Sequence, residues 1–228
     1  MTSLTLTEIQ NAVLRLMDEH GGNALFMSGN ATDEMRTIIG QVAEDAIRKI
    51  HLQAPVAMLD AVTSPVSSTM FERNGRWACR VLLPDDFFRL VRCSLVSWVH
   101  PVSQLWWEDS AEYAKQGNKY LMGTHEKPIA FLIHQGALQY AELYSGIDLQ
   151  DKMREFLYAK RPEWSSNNKI MVSDRLKDAC MMQVATDTLA VLGEGDRAQQ
   201  MQQMAERVLA TYGGNERHNA DNGNRIER

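Results

Sequence analysis

Few side chains in this 228-residue chain have the types and spacing that chemistry needs. The most conspicuous acidic pair is Asp85-Asp86, and paired carboxylates can hold a divalent cation or share acid–base work. These two follow Pro84 and precede Phe87-Phe88-Arg89-Leu90. Aspartates behind a proline accept the free backbone N–H groups of a one-turn helix. The pair is therefore read as a turn that tucks Phe87, Phe88 and Leu90 into a core. His100, Glu108 and His125 are the set from which a hydrolase site of distant residues could be assembled. No spacing puts two of the six histidines on one helical face as metal ligands. Cys79, Cys93 and Cys180 are odd in number and widely spaced, which argues against a disulfide framework or a metal knuckle. They read as small buried apolar residues of a reducing compartment. No Gly-rich phosphate loop opens a helix, and no G-x-S-x-G or H-E-x-x-H is present. The expectation is a chain with no catalytic residue, no cofactor and no metal.

Adhesive features stand out more than catalytic ones. Trp106 and Trp107 are adjacent, and neighbouring side chains of a regular strand point to opposite faces, so both cannot enter one core. One ring is either folded back or held out for a partner, and aromatic residues are enriched at interface centres. Of 13 methionines, Met171, Met181, Met182, Met201 and Met204 lie in the C-terminal third. They suit a helical core or a surface that adapts to unlike neighbours. The tail 213–228, GGNERHNADNGNRIER, is too polar to order itself alone. Trp106, Trp107, Asn215, Arg217, Asn222 and Arg225 are accordingly the candidate interface residues.

These residues must be positioned by a globular fold. The chain is 44% hydrophobic and 23% charged with a net charge of −5, which excludes global disorder and a basic nucleic-acid footprint. No apolar run approaches the roughly 20 residues of a membrane span, and MTSLTLTEIQ lacks the form of a signal peptide. A soluble, intracellular protein is expected. Thr5-x-x-Glu8 reads as a capping box opening a helix that Gly21-Gly22 ends. Thr32 is read as the N-cap of a second helix, with Met35, Ile38, Ile39, Val42, Ala46 and Ile50 on one face, stopping before Pro55. The period then becomes two. Residues 70–73 and 76–82 flank Asn74-Gly75, a type I′ hairpin signal. A short helical turn at 84–90, a strand at 90–99 and a loop-rich stretch at 102–128 follow. Strands at 129–134 and 137–144 then surround Gln135-Gly136. The chain returns to helix at 148–160, after Ser173 as a cap, and from Asp196.

The order of several short motifs is distinctive. Leu83-Pro84-Asp85-Asp86-Phe87-Phe88-Arg89-Leu90 runs into a strand ending at Trp98. Glu112-Tyr113 with Gln116 and Asn118 comes next, then Pro128, then Gly136 with Leu138, Glu142 and Tyr144. Ser173-x-x-Leu176-x-x-Ala179, with Gln183, Ala185 and Leu189, closes the series. This order resembles that of the head-to-tail adaptor (connector or ring) proteins of short-tailed bacteriophages, and most closely the ring proteins of crAss-like gut phages. The resemblance spans about residues 5–212. It implies a structural virion protein made in the host cytoplasm and placed at the head–tail junction or in the tail. Such proteins form a ring, typically of twelve copies, that contacts the portal and neighbouring ring or tail proteins. Packaged DNA passes through without specific binding, and no membrane is involved. A tail hub, stopper or cargo-associated protein is the alternative, with a small soluble hydrolase behind it.

The fold class expected is α+β: a helical bundle of N- and C-terminal helices packed with a central antiparallel β meander. One domain covers 1–212, helical at 5–60, β-rich at 69–145 and helical at 148–212, and the tail 213–228 is ordered by partners.

Overall fold

In the computed structural model, which describes residues 1–19, 29–63, 67–73, 75–118, 120–146 and 148–223, Thr5 and Glu8 close the capping box. Glu8 Oε2 accepts from the Thr5 N–H at 2.7 Å, and the Glu8 N–H donates to Thr5 Oγ1 at 3.2 Å. The box joins β1 (Thr2–Thr5) to α1 (Leu6–Glu19). Gly21-Gly22 lies outside the described residues. After α2 (Gly29–Gln53) come β2 (Val62–Thr63), β3 (Ser68–Arg73), β4 (Arg76–Leu82), β5 (Phe87–Leu95) and β6 (Trp106–Trp107). A short α3 (Ala111–Lys115) precedes β7 (Ile129–Gln135), β8 (Leu138–Gly146), β9 (Met153–Lys160) and β10 (Lys169–Val172). The chain ends in α4 (Lys177–Val191) and α5 (Gly195–Gly223). It divides into two compact units, one of Met1–Asp60 with Pro162–Arg228 and one of Ala61–Arg161.

The first unit is helical. Ile9, Val13 and Met17 of α1 recur every four residues and are buried, as are Met35, Ile39, Ala43, Ala46, Ile47 and Ile50 of α2. Both helices pack on α4, which is buried on most of its circumference, from Ala179 and Cys180 to Leu189. The α2 helix stops ahead of Pro55 as its sequence demands, but it starts at Gly29, so Thr32 sits inside its first turn instead of capping it. Ser173 is likewise not the cap of α4. Its hydroxyl donates to the Met58 carbonyl at 2.6 Å, and a 3-10 turn, Asp174–Leu176, intervenes. The pairing of β1 with β10, Thr2 opposite Val172 and Thr5 opposite Lys169, ties the start of this unit to a segment about 170 residues later.

His51, in the last turn of α2, is 5% exposed and its ring N–H donates to the Ile47 carbonyl at 2.9 Å. Burial disfavours the imidazolium and holds its pKa below the ordinary histidine value. A depressed histidine contributes stability that is complete above pH 6.5 and lost as pH falls below it, because the unfolded chain then binds the extra proton. The helical unit is therefore expected to melt at lower temperature at pH 5 than at pH 7. In a His51→Gln variant, circular dichroism should show that pH dependence flattened.

The second unit holds two sheets. One is five-stranded, ordered β3-β4-β8-β7-β6, and the other is ordered β2-β9-β5. They share a core in which Cys79, Val81, Ala141 and Leu143 of the first meet Leu90, Cys93, Phe156 and Tyr158 of the second. The two hairpins form where glycine permits left-handed backbone, at Gly75 (φ +78°) and Gly136 (φ +64°). Asn74 is outside the described residues. Cys79, Cys93 and Cys180 are free and buried, and burial raises each thiol, Cys79 to about 11 and Cys93 to about 12.

Several expectations need correction. Residues 148–160 do not form a helix. Met153–Lys160 is a strand, with Phe156 and Tyr158 alternating into the core between β2 and β5. Its residues suit a helix, and pairing on both sides overrides that propensity. No short helix forms at 84–90. Phe87 N–H donates to the Pro84 carbonyl at 2.9 Å in a turn, and β5 opens at Phe87 and closes at Leu95. The stretch 102–128 contains β6 and α3, and β6 runs parallel to β7. The expected bundle packed with one antiparallel meander is thus overturned. The terminal helices pack on one another in one unit, and the strands of the middle of the chain form two sheets in the other. The strands make three sheets, one of them built from the chain's first strand and its tenth.

Candidate functional site on the outer face of the five-stranded sheet

Alternation along the strands sends Cys79, Val81, Ala141 and Leu143 into the shared core and Arg80, Tyr140, Glu142 and Tyr144 to the opposite face. Glu142 stands there in the middle of β8, only 1% exposed. A buried carboxylate must be paired. Its Oε1 accepts from Arg80 Nε at 3.1 Å and Nη2 at 2.5 Å. Its Oε2 accepts from the Tyr144 hydroxyl at 2.7 Å and lies 3.3 Å from Arg73 Nη1. The same Nη1 is 2.7 Å from both the Tyr113 and the Tyr144 hydroxyls. Burial first, then the neighbouring carboxylate, lift the Tyr144 phenol well above its ordinary range, so it keeps its proton and donates it to Glu142.

Aromatic rings frame both guanidiniums. Arg73 lies over Tyr113 at 4.7 Å, and Arg80 is 5.3 Å from the ring of Phe71 and 5.6 Å from that of Tyr140. Tyr113 is delivered by α3, whose cap Ser110 accepts from the Tyr113 N–H. Buried Gln116 then ties the following loop down, its Oε1 accepting from the Gly123 N–H at 2.9 Å. Gly123 has no room for a side chain: a Cβ there would sit 2.7 Å from Ile129 Cγ2 and 3.2 Å from the Tyr144 carbonyl oxygen. With both of its oxygens engaged, Glu142 is an anion that locks three strands together and is not a free base. Glu142, Tyr144, Tyr113 and Gln116 all belong to the motif series. Arg73 and Arg80 do not, although they share one parity on the β3–β4 hairpin and Glu142 interrupts an otherwise aromatic face.

Beyond Tyr140 this face opens to solvent, with Leu82, Leu138 and Trp106 exposed. Trp106 pairs in register with Phe131, and Trp107 with Leu132, on the edge strand β6. Neither indole is core. Trp106 is 37% and Trp107 59% exposed, and Trp107 stacks on His134 at 5.8 Å with 4° between the planes. Glu108 accepts from the His134 N–H at 3.3 Å. His100 and His125 are exposed and their loops touch through Val99 N–H to the His125 carbonyl. Among the described residues no hydrogen bond or ion pair joins His100, Glu108 and His125 into a triad. Asn215, Arg217 and Asn222 fall on the distal part of α5, and Arg225 lies outside the described residues.

Asp86 does hold a turn. Its carboxylate accepts from the Tyr158 hydroxyl at 2.8 Å and pairs with Lys160 at 2.8 Å, while its carbonyl accepts from the Arg161 N–H. Burial raises its pKa, but Lys160 and Tyr158 outweigh that and hold it below the ordinary aspartate value. Asp86→Ala should cost the β unit about 1–2 kcal/mol by urea unfolding at pH 7. A depressed carboxyl contributes only above its unfolded pKa, so the difference should fade as pH falls below 4.

Compared with known proteins, the chain matches no family model and no curated sequence. Among the described residues, no helix is long and apolar enough to cross a membrane, and no group of three or more His, Cys, Asp or Glu could hold a metal ion.

Proposed function

We propose that this chain is a structural virion protein, one subunit of a ring of about twelve copies in the head-to-tail connector of a short-tailed phage. The ring contacts the portal and neighbouring ring or tail proteins and forms part of the conduit through which packaged DNA passes. One observation carries this reading. The motif residues through which the chain resembles such ring proteins hold the scaffold of the β unit together: Asp86 at its turn, Gln116 and Tyr113 under the sheet, Glu142 and Tyr144 across it. The exposed Trp106-Trp107 edge supports the same reading, since a cyclic ring needs two different adhesive surfaces on each subunit.

Native mass spectrometry and two-dimensional class averages of the full chain, alone and with portal rings, test it. The expected result is a ring of about twelve copies, free or seated on the portal. A chain that forms only a closed dimer and ignores the portal overturns it, and would make His100, Glu108 and His125 the residues to mutate in a search for hydrolysis.

A further inference from the structure

Both faces of β3 are occupied, and its outer edge is not. The strand stands at one end of the five-stranded sheet, where β4 pairs with it. Met70 packs against the core shared by the two sheets. Phe71 packs on the opposite face, 5.3 Å from the Arg80 guanidinium. A strand held on both faces presents a rigid edge.

Register decides which groups that edge presents. The two-residue turn makes Arg73 and Arg76 a hydrogen-bonded pair. At the far end of the hairpin the Leu82 N–H donates to the Ser67 carbonyl at 3.3 Å. Residues 67, 69, 71 and 73 therefore turn their backbone groups to β4, and Ser68, Met70 and Glu72 turn theirs outward. Ser68 and Glu72 are exposed and Met70 is half-buried. Among the described residues, no strand pairs with that side.

Sheets blunt such edges by brevity, bulges, proline or lysine. The other edges of this unit do so. β2 and β6 have two residues each, while β5 shifts register three times and is bridged at Cys93 by Val102. β3 has six residues, no register shift, and neither proline nor lysine.

We propose that β3 pairs antiparallel with β3 of a second copy about a two-fold axis at Met70, so that two five-stranded sheets become one. The edge is complementary to itself in that register. Ser68 falls opposite Glu72 of the other copy, Met70 opposite Met70, and Glu72 opposite Ser68. No other antiparallel register matches the three outward residues with one another, so here alone every free N–H and C=O of the edge gains a partner. The charges agree. Each carboxylate meets a hydroxyl that can donate to it, whereas an axis two residues further on would set Glu72 against Glu72. On the other face Thr69 falls opposite Phe71, a β-branched residue beside an aromatic ring. The contact is isologous and closes at two copies. It lies at the opposite edge of the sheet from Trp106 and Trp107, and it does not depend on the ring reading.

Substitutions at Ser68 test the pairing in the full chain without portal, by native mass spectrometry and sedimentation equilibrium across micromolar concentrations. The expected result is a concentration-dependent dimer. Ser68→Glu creates two like-charged pairs across the axis and should weaken the dimer about tenfold, while Ser68→Lys should tighten it about threefold. Adding Glu72→Lys to Ser68→Glu should recover most of the loss. Opposite effects of Glu and Lys substitution at one exposed position do not arise from a damaged fold. A dimer that Ser68→Glu and Ser68→Lys weaken alike, or leave unchanged, overturns the proposal. A chain that stays monomeric, or that forms only a ring indifferent to both substitutions, overturns it and leaves the ring reading standing. A dimer that responds as expected but ignores the portal overturns the ring reading and leaves the pairing standing.

Discussion

Glu142→Ala lowers the stability of the β unit by about 3 kcal/mol, the largest effect expected of any polar substitution in this chain. The carboxylate is 1% exposed and shares hydrogen bonds with Arg73, Arg80 and Tyr144. Removing it leaves two guanidiniums packed against aromatic rings without their anion, and a buried hydroxyl without its acceptor. The arginine side chains are 32% and 39% exposed, so water recovers part of the loss and the value falls at the lower end for a broken buried pair. Glu142→Gln keeps the shape and some of the hydrogen bonds, and should cost about half as much. Trp77, Trp98, Trp106 and Trp107 lie in this unit, so tryptophan emission during urea unfolding reports on it directly. With a slope of about 1.5–2 kcal/mol/M, the Ala variant should unfold at 1.5–2 M less urea, all of these being about-values for a domain of this size. Combining Arg73→Met, Arg80→Met and Glu142→Leu should recover most of the loss, because an apolar cluster replaces the pair without an orphaned charge. A loss below about 1 kcal/mol for Glu142→Ala would mean that solvent, and not Glu142, satisfies the arginines.

That network shows what was legible in the chain and what was not. Local signals could be read where neighbours in sequence decide the structure. Thr5 and Glu8 satisfy each other three residues apart, Gly75 and Gly136 turn two hairpins, and Pro55 stops α2. Contacts made across the chain were hidden. The partners of β1 lie in β10, and β9 becomes a strand only because β2 and β5 pair with both of its edges. Nothing local marks Trp106 and Trp107 as a strand, since a parallel neighbour reached over α3 supplies their register. The site was half visible. Glu142 and Tyr144 stood in the motif series, but the arginines that neutralise Glu142 precede it by 62 and 69 residues. A charged residue between Tyr140 and Tyr144, on the same face of the strand as both rings, is the feature that would have called for them.

Alanine at Trp106 and Trp107 should separate assembly from folding. Both indoles sit on the edge strand, 37% and 59% exposed, so each keeps part of its ring in water. Each substitution should cost folding about 1–3 kcal/mol by thermal or urea unfolding, Trp106→Ala the more. An indole buried at the centre of a subunit contact is worth about 2 kcal/mol or more, so each change should weaken ring formation by about 30-fold in a native-mass titration. His134→Ala is the control. It retains both indoles but removes the ring on which Trp107 stacks and the Nδ1 that faces Glu108 at 3.7 Å. If preorganisation of Trp107 matters, this variant should weaken the ring by a few-fold, well short of the tryptophan deletions, because the contact area survives and only its ordering is lost. Substitutions that lower the unfolding midpoint by several degrees while the ring forms at unchanged concentration would return the two indoles to the fold of the β unit. The adhesive surface would then have to be sought at Leu82 and Leu138, the other exposed apolar residues of the same sheet.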